Sequence, residues 1–311
     1  MWFKQIQLFQ LTDALQFSEV KLAESLQSLT FSPCLPSMPY SIGWVPPVDE
    51  ENAPLVQIVN GNIMLCLQVE EKILPAIVIR QELFKKIKQI ETLENRKVHQ
   101  KQKLFLKDEI IMTLLPRAFS KLTRVYGYID TRNHWLVLGT THEKKTEQFL
   151  ALFKKSISEN VRPFQFKKLS ATITEWVTKN EVSFFSVEKA CVLRDPAQEA
   201  RVIRCQQQNL FSEAIQSLIK EGCEVKQLAL SWQDRVDFVL SELFAFNSIK
   251  FQDDIVSQAR DMEAETKFQQ FNANFFIMSE TFQGLLKDIL TLLMGSSSDE
   301  KTLLNKAVTL T

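Results

Sequence analysis

The sequence predicts an α+β fold made of antiparallel sheets with hairpins and a projecting helical segment. Two strand-like runs, residues 55–59 and 63–69, flank Asn60-Gly61, which supplies the positive φ values that a tight hairpin turn needs. Strand-like and helical runs do not alternate regularly along the 311 residues, which argues against a doubly wound sheet. Only 7 glycines occur, and neither G-x-x-x-x-G-K-[ST] nor G-x-G-x-x-G is present, so a common nucleotide site is not supported.

The N-terminal region begins with a half-buried strand and a short helix. Residues 2–11 nearly alternate between apolar and polar side chains, and Ser18 can cap a helix that runs to about Leu29. The proline-rich stretch from Ser32 to Pro47 is expected to be an ordered loop before the Asn-Gly hairpin.

A long helix is predicted over residues 77–98. Leu83, Ile87 and Ile90 form one apolar stripe, and Lys85, Lys88 and Arg96 lie on the opposite face. A second helical run over roughly 107–123 contains Pro116, which removes a backbone donor and predicts a kink or break there.

The remaining chain predicts more hairpins and three helices. Residues 124–141 resemble a hairpin connected by 131–134, and residues 143–157 form an amphipathic helix. A helix at about 211–220 and an apolar helix at 278–293 complete the pattern. Strands are expected at 182–187, 201–204, 224–230, 236–240 and 248–251.

Composition and motifs exclude several functional classes. The five cysteines include no C-x-x-C pair, so a disulfide framework or a structural zinc site is not expected. No apolar run reaches the length of a membrane span, and the N-terminus has no signal-peptide layout, which predicts a cytoplasmic protein without a membrane partner. No cofactor and no metal ion are implied.

A metal-dependent DNA-processing enzyme remains an alternative because acidic residues occur in clusters. Asp253-Asp254 form one cluster, and Asp261, Glu263 and Glu265 form another, in which Asp261 and Glu265 could share a helix face. Glu224-Val225-Lys226 on a predicted strand matches the end of a common nuclease pattern, but so short a motif recurs by chance. A solvated acidic surface is the favoured interpretation of these residues.

Positive charge is concentrated in one part of a chain whose net charge is zero. Residues 71–155 contain 18 basic and 9 acidic residues, whereas residues 240–311 contain 6 basic and 10 acidic residues. Such a basic region suits phosphate contacts, although a solvated helix surface would have the same composition. The candidate phosphate-binding residues of this region are Lys85, Lys88, Arg96, Lys97, Lys101, Arg117, Lys121 and Arg124.

Several runs of residues, in order over about 1–295, resemble the RdgC family. They include Trp2-Phe3-Lys4, Gly43-Trp44-Val45-Pro46-Pro47, Leu114-Leu115-Pro116-Arg117-Ala118-Phe119-Ser120, Lys226-Gln227-Leu228-Ala229-Leu230-Ser231-Trp232 and Phe271-Asn272-Ala273-Asn274-Phe275. The resemblance implies a ring-shaped homodimer with a basic central hole that encircles duplex DNA with little sequence preference. It also implies association with the nucleoid, antagonism of the RecA recombinase and no enzymatic activity. A protein-interaction module that acts directly on the recombination machinery is a further alternative.

The resemblance also assigns residue roles and segments. It implies that Phe119 inserts into the partner subunit at one dimer contact. Where lysines are expected after Arg204, this chain has Cys205-Gln206-Gln207, so Arg204, Lys226 and Arg235 are weaker DNA-binding candidates. The predicted segments are a discontinuous central α+β domain (1–75 and 124–180), a helical excursion (76–123) with the basic face and the dimer contact, a base domain (181–295) and a disordered tail (296–311).

Overall fold

One antiparallel sheet runs through the structure, a computed structural model that describes residues 1–12, 19–157, 160–179, 182–262 and 264–295. Within these residues the strand order is β2-β4-β5-β6-β1-β12-β11-β10-β8-β9, with β3 on β4 and β7 on β1. The strands are β1 (Ile6–Leu11), β2 (Tyr40–Val45), β3 (Gln57–Val59), β4 (Asn62–Lys72), β5 (Ser120–Asp130), β6 (Trp135–Leu138), β7 (Val161–Pro163), β8 (Phe185–Asp195), β9 (Gln198–Gln206), β10 (Glu224–Trp232), β11 (Val236–Ser241) and β12 (Ala245–Phe251).

Helices cover both faces of this sheet, so the predicted α+β class with antiparallel strands is confirmed. The helices are α1 (Glu19–Gln27), α2 (Ala76–Glu94), α3 (Gln100–Leu114), α4 (Glu143–Ile157), α5 (Leu169–Lys179), α6 (Glu213–Lys220), α7 (Asp253–Asp261) and α8 (Lys267–Gly295).

The central strand β1 joins the two halves of the sheet and divides its side chains between two apolar cores. It pairs with β6 on one side and with β12 on the other, where Ile6 opposes Phe246. Ile6 and Leu8 belong to the α8 core, the cluster that α5, α6 and α8 form with β8–β12 and with buried residues of β4, β5 and β6. Phe9 and Leu11 belong to the α4 core, the cluster that β2, β4, β5 and β6 form with α1 and α4. Because successive side chains of a strand point to opposite faces of the sheet, β1 contributes to one core on each face.

The Asn-Gly hairpin forms as predicted between β3 and β4. Asn60 and Gly61 have φ values of 50° and 74°, the left-handed pair that a two-residue turn with the twist of the sheet requires. The Thr131 hydroxyl donates to the Gly61 carbonyl at 2.6 Å, and the Arg132 guanidinium donates to Asn60 Oδ1 at 2.5 Å. These bonds tie this turn to the neighbouring β5–β6 turn, which is also a predicted connection.

The predicted helix over 107–123 is wrong at both ends. Helix α3 already begins at Gln100 and ends at Leu114, followed by a 3-10 turn over Leu115–Arg117 that contains Pro116. The break at the proline is therefore confirmed. Residues 120–123 are strand because β5 pairs with β4 from Ser120, opposite Lys72, to Asp130, opposite Asn62, and this long-range pairing outweighs their local helical pattern.

Two further expectations about the C-terminal half need correction. Asp261 and Glu265 do not share a helix face, since α7 ends at Asp261 and the next residue, Met262, leaves the helical conformation with ψ 84°. The final helix begins at Lys267 rather than at 278, because Phe271 and Phe275 extend its apolar side onto the α8 core. Glu263 and the predicted tail, 296–311, lie outside the described residues.

Candidate nucleic-acid interface

The helical excursion presents its basic side chains to solvent, together with several apolar ones such as Phe84, Leu93 and Phe105, and only part of its apolar surface is covered. Leu106 and Ile110 of α3 are buried, and Leu83 and Ile87 of α2 are half-buried, so the predicted apolar stripe faces the second helix. No residue of α2 is fully buried. The basic candidates of this region that are exposed are Lys85, Lys88, Arg96, Lys97, Lys101, Arg117 and Lys121.

Some of these cations already have a carboxylate partner. Lys85 Nζ lies 2.7 Å from Glu82 Oε1, and Arg96 is paired with Glu94 and donates to Gln102 at 3.0 Å. In contrast, five candidates form no ion pair with any other residue of the described chain, and their charges are therefore available to an external anion: Lys88, Lys97, Lys101, Arg117 and Lys121.

Arg124 is held in place at the base of the excursion, on β5. Its guanidinium donates to Asp49 Oδ1 at 3.0 Å and to Gln68 Oε1 at 3.3 Å. Partial burial disfavours the charged form, but the hydrogen bonds to Asp49 and Tyr126 outweigh it, and the pKa of Arg124 lies above its ordinary value. Arg124 is a fixed cation whose nearest partner, Asp49, is itself largely exposed.

Phe119, which follows the 3-10 turn at the end of α3, is one of the most exposed apolar side chains of this region. It is 85% exposed, so it does not pack into the core of its own chain. Its backbone is nevertheless fixed, because its carbonyl accepts a hydrogen bond from the Ile73 amide at 2.7 Å. Ile73, which donates that bond, is also exposed, at 48%, so two exposed apolar residues lie together at the junction of the excursion and the sheet.

A second basic group lies at the other end of the sheet, on the face opposite the α8 core. A cavity of about 500 Å³ is lined by residues of β8, β9 and β10 and of the β11–β12 turn, among them Arg204 and Lys226. Arg194 lines the same cavity and is exposed, although sequence reasoning missed it. The predicted strand 182–187 stopped short of it, whereas β8 extends to Asp195.

The basic candidates at this end of the sheet differ in whether other residues of the same chain already engage their charge. Arg204 is exposed, but Lys226 is 20% exposed and bridges Glu224 at 3.0 Å and Glu242 at 2.9 Å. Burial disfavours the ammonium, yet the bonds to Glu242 and Glu224 outweigh it and raise the pKa of Lys226. Arg235 lies apart, with its guanidinium carbon 5.6 Å from the centroid of the Trp232 ring. Lys226 is thus neutralised within its own chain.

The contacts of Glu224 determine what its carboxylate can do chemically. Glu224 accepts hydrogen bonds from Lys226 and from the Ser170 hydroxyl, which lower its pKa. Within the described residues, no three histidine, cysteine or acidic side chains meet as a group that could hold a metal ion. No described helix has the length and apolar character needed to cross a membrane.

Comparison with known proteins places the chain among recombination proteins. The family model described as "RdgC: Putative exonuclease, RdgC" matches residues 1–296. The chain belongs to the RdgC family. Similar relatives are the "Recombination-associated protein RdgC" of Yersinia enterocolitica, 36% identical over 300 residues, and those of Yersinia pestis and Yersinia pseudotuberculosis, both 35% identical. Each alignment covers 96% of this chain and 99% of the relative.

Membership in the RdgC family confirms the resemblance and makes this chain a recombination-associated protein. The two kinds of description differ in emphasis: the RdgC family model names an exonuclease, whereas the Yersinia RdgC proteins are named for recombination and not for a catalysed reaction.

Proposed function

We propose that this chain binds duplex DNA without sequence preference, encircles it as a homodimer and restrains RecA-type homologous recombination at the nucleoid. The observation that supports the proposal most strongly is the group of exposed basic side chains on the excursion that have no carboxylate partner in the described chain. Lysine and arginine in this setting neutralise phosphates, which contribute affinity without base recognition.

The two basic groups lie far apart along the sheet. Strands β5 and β9 are seven positions apart in the sheet order, which corresponds to about 33 Å along the sheet. The excursion is the proposed site of the stronger contacts, through Lys88, Lys97 and Lys101. At the far end Arg204 and Arg194 contribute, while Lys226 and Arg235 stay weaker candidates because each is engaged within the chain.

Two subunits close a ring only through two different self-complementary contacts, each on the two-fold axis. The exposed apolar residues Phe119 and Ile73 supply one such contact, because a fixed backbone presents a large exposed ring that a second copy can bury. In this proposal the excursion, residues 76–123, is the tip of the subunit, and the base domain, residues 181–295, supplies the other contact.

The DNA-binding proposal is tested by measuring the affinity for one linear duplex over a salt series in the presence of a chelator. We expect metal-independent binding whose affinity falls steeply with salt, because each neutralised phosphate releases a counterion. Equal affinity for duplexes of unrelated sequence is expected in the same assay. No binding at low salt would contradict the proposal and favour a module that contacts the recombination proteins directly.

The family description supports exonuclease activity as a second candidate function. It predicts that the protein shortens end-labelled linear duplex when Mg²⁺ or Mn²⁺ is added, and that Glu224→Gln removes this activity. We propose that the chain has no such activity, since the charge of Glu224 is already balanced by Lys226. Metal-dependent loss of label by wild-type protein, but not by Glu224→Gln, would overturn that view.

A further inference from the structure

Two cysteines lie opposite each other on neighbouring strands at the edge of the sheet. Cys191 of β8 and Cys205 of β9 are direct partners in the antiparallel register. Direct partners direct their side chains to the same face, and both residues belong to the α8 core, at 4% and 5% exposure. All five cysteines are free thiols, and the Cys191 and Cys205 thiols are hydrogen-bonded to each other.

This arrangement meets the geometric requirement of a disulfide. Directly opposed antiparallel residues have Cα atoms about 4.5–5.5 Å apart, and disulfides span Cα separations of about 4.4–6.8 Å. Closing the bond therefore needs side-chain rotation and a small approach of the two strands. Cys66, the other buried cysteine within a strand, has Tyr126 and Val45 as its partners, so it cannot form such a bond.

The cysteine pair lies at the edge of the sheet, where local opening of a strand can expose it. Strand β9 ends the strand order and pairs with β8 alone within the described residues, so it can open without disrupting the centre of the sheet. Both thiols face the α8 core, on the other side of the sheet from the cavity of about 500 Å³ described above, so an oxidant such as hydrogen peroxide reaches them when β9 opens.

We propose that Cys191 and Cys205 form a reversible oxidation site at which hydrogen peroxide closes a disulfide between β8 and β9. One thiolate attacks a peroxide oxygen and the O–O bond breaks, which leaves a sulfenic acid and a hydroxide that is protonated to water. The second sulfur attacks the sulfenic sulfur, the S–S bond forms, and the expelled hydroxide takes up the remaining proton as water. Two thiols are thereby oxidised and one peroxide is reduced to two waters.

Burial sets the rate of this reaction. Desolvation and the neighbouring Cys205 raise the pKa of the Cys191 thiol to about 12, so the nucleophilic thiolate is scarce at neutral pH. The pair is therefore expected to react more slowly than an exposed thiol and to react fastest when β9 opens.

The bond would fasten β9 to β8. The loop that the bond encloses includes the β8–β9 turn. Arg204, next to Cys205, and Arg194, further along β8, lie on the opposite face of the sheet from the two thiols. Any resulting change in DNA affinity rests on the function proposed above, whereas formation of the bond does not.

The test uses the reduced full-length protein, treated with hydrogen peroxide, alkylated and digested with trypsin without reductant. Cleavage after Lys189, Arg194, Arg204 and Lys220 places Cys191 and Cys205 in the separate peptides 190–194 and 205–220. We expect a linked pair of these peptides by mass spectrometry, lost again after dithiothreitol. We also expect hydrogen exchange in β9 to slow by roughly tenfold or more after oxidation.

Two variants serve as controls. Cys205→Ser should remove the linked pair, and Cys66→Ser, which changes a buried strand cysteine without a cysteine opposite, should leave it intact. Oxidation of Cys34 alone, with both peptides unlinked, would overturn the proposal. So would a bond from either residue to Cys223, which lies in the separate peptide 221–226. DNA affinity of the oxidised protein is measured separately, so that failure of the DNA proposal does not affect this result.

Discussion

The basic side chains of the excursion differ in whether a carboxylate neutralises them. Lys85 lies 2.7 Å from Glu82, whereas Lys88, one turn further along the helix face, has no such partner in the described chain. The sequence predicted that both lysines are exposed. It could not show which of them has a carboxylate partner, because ion pairing depends on side-chain positions. The pairing of Arg124 with Asp49, 75 residues away, shows the same limit.

The unpaired cations are expected to determine the salt dependence of DNA binding. Replacing Lys88, Lys97 and Lys101 together with glutamine should make the slope of log affinity against log salt shallower by about 2 to 3, since each phosphate contact contributes about 0.9. The matched control replaces Lys250, Lys267 and Lys287, three exposed lysines of the acidic region. An equal change in slope for both triple variants would place the DNA elsewhere.

Phe119 allows a test of the dimer contact at a single side chain. Because it is 85% exposed, Phe119→Ala should leave the unfolding free energy of the separated subunit within about 0.5 kcal/mol of wild type. The same change should weaken self-association at least tenfold in analytical ultracentrifugation, since truncation of a buried interface aromatic costs about 2 kcal/mol or more. Dimerisation of Phe119→Ala at wild-type strength would show that this ring is not in the contact.

At the scale of elements, β2 depends on a close backbone contact that only glycine permits. A Cβ atom at Gly43 would lie 2.3 Å from the Phe31 Cα and 2.7 Å from the Thr30 carbonyl carbon. Gly43→Ala should therefore destabilise the fold by about 3 kcal/mol, because backbone atoms must move. Gly61→Ala, where the cost is a positive φ without a severe clash, should cost about 1 kcal/mol. Chemical denaturation measures the loss of unfolding free energy in the two variants. Equal losses would mean that the backbone at Phe31 moves away from the added Cβ atom at little cost.

Elements with strong local signals were predicted well, and those that depend on distant partners were not. The Asn60-Gly61 hairpin and helix α4 follow from turn chemistry and from amphipathic spacing, and α4 occupies the predicted residues, 143–157. The start of β5 was missed because residues 120–123 become strand only by pairing with β4. Helix α5 was missed because its β-branched residues, such as Ile173 and Val177, lower helix propensity, while their burial in the α8 core stabilises it.

At the scale of the whole molecule, a net charge of zero and a pI near 6.9 conceal the basic region. A nonspecific DNA-binding protein usually has an excess of positive charge, since phosphate contacts dominate its affinity. Here residues 240–311 contain 10 acidic but only 6 basic residues, so the positive charge of residues 71–155 is balanced elsewhere in the chain. The proposed ring would also retain DNA by its topology, which reduces the affinity that charge alone must supply.

Encirclement is tested most directly by retention on DNA of different topology. Protein is loaded at low salt onto a relaxed circular duplex or onto the same duplex cut once, and the fraction that remains bound is measured after a jump to high salt. We expect the circle to retain protein that the linear form loses, and a single restriction cut should then release it. Equal loss from both forms, for a protein that binds both at low salt, would contradict the ring and leave an open DNA-binding surface.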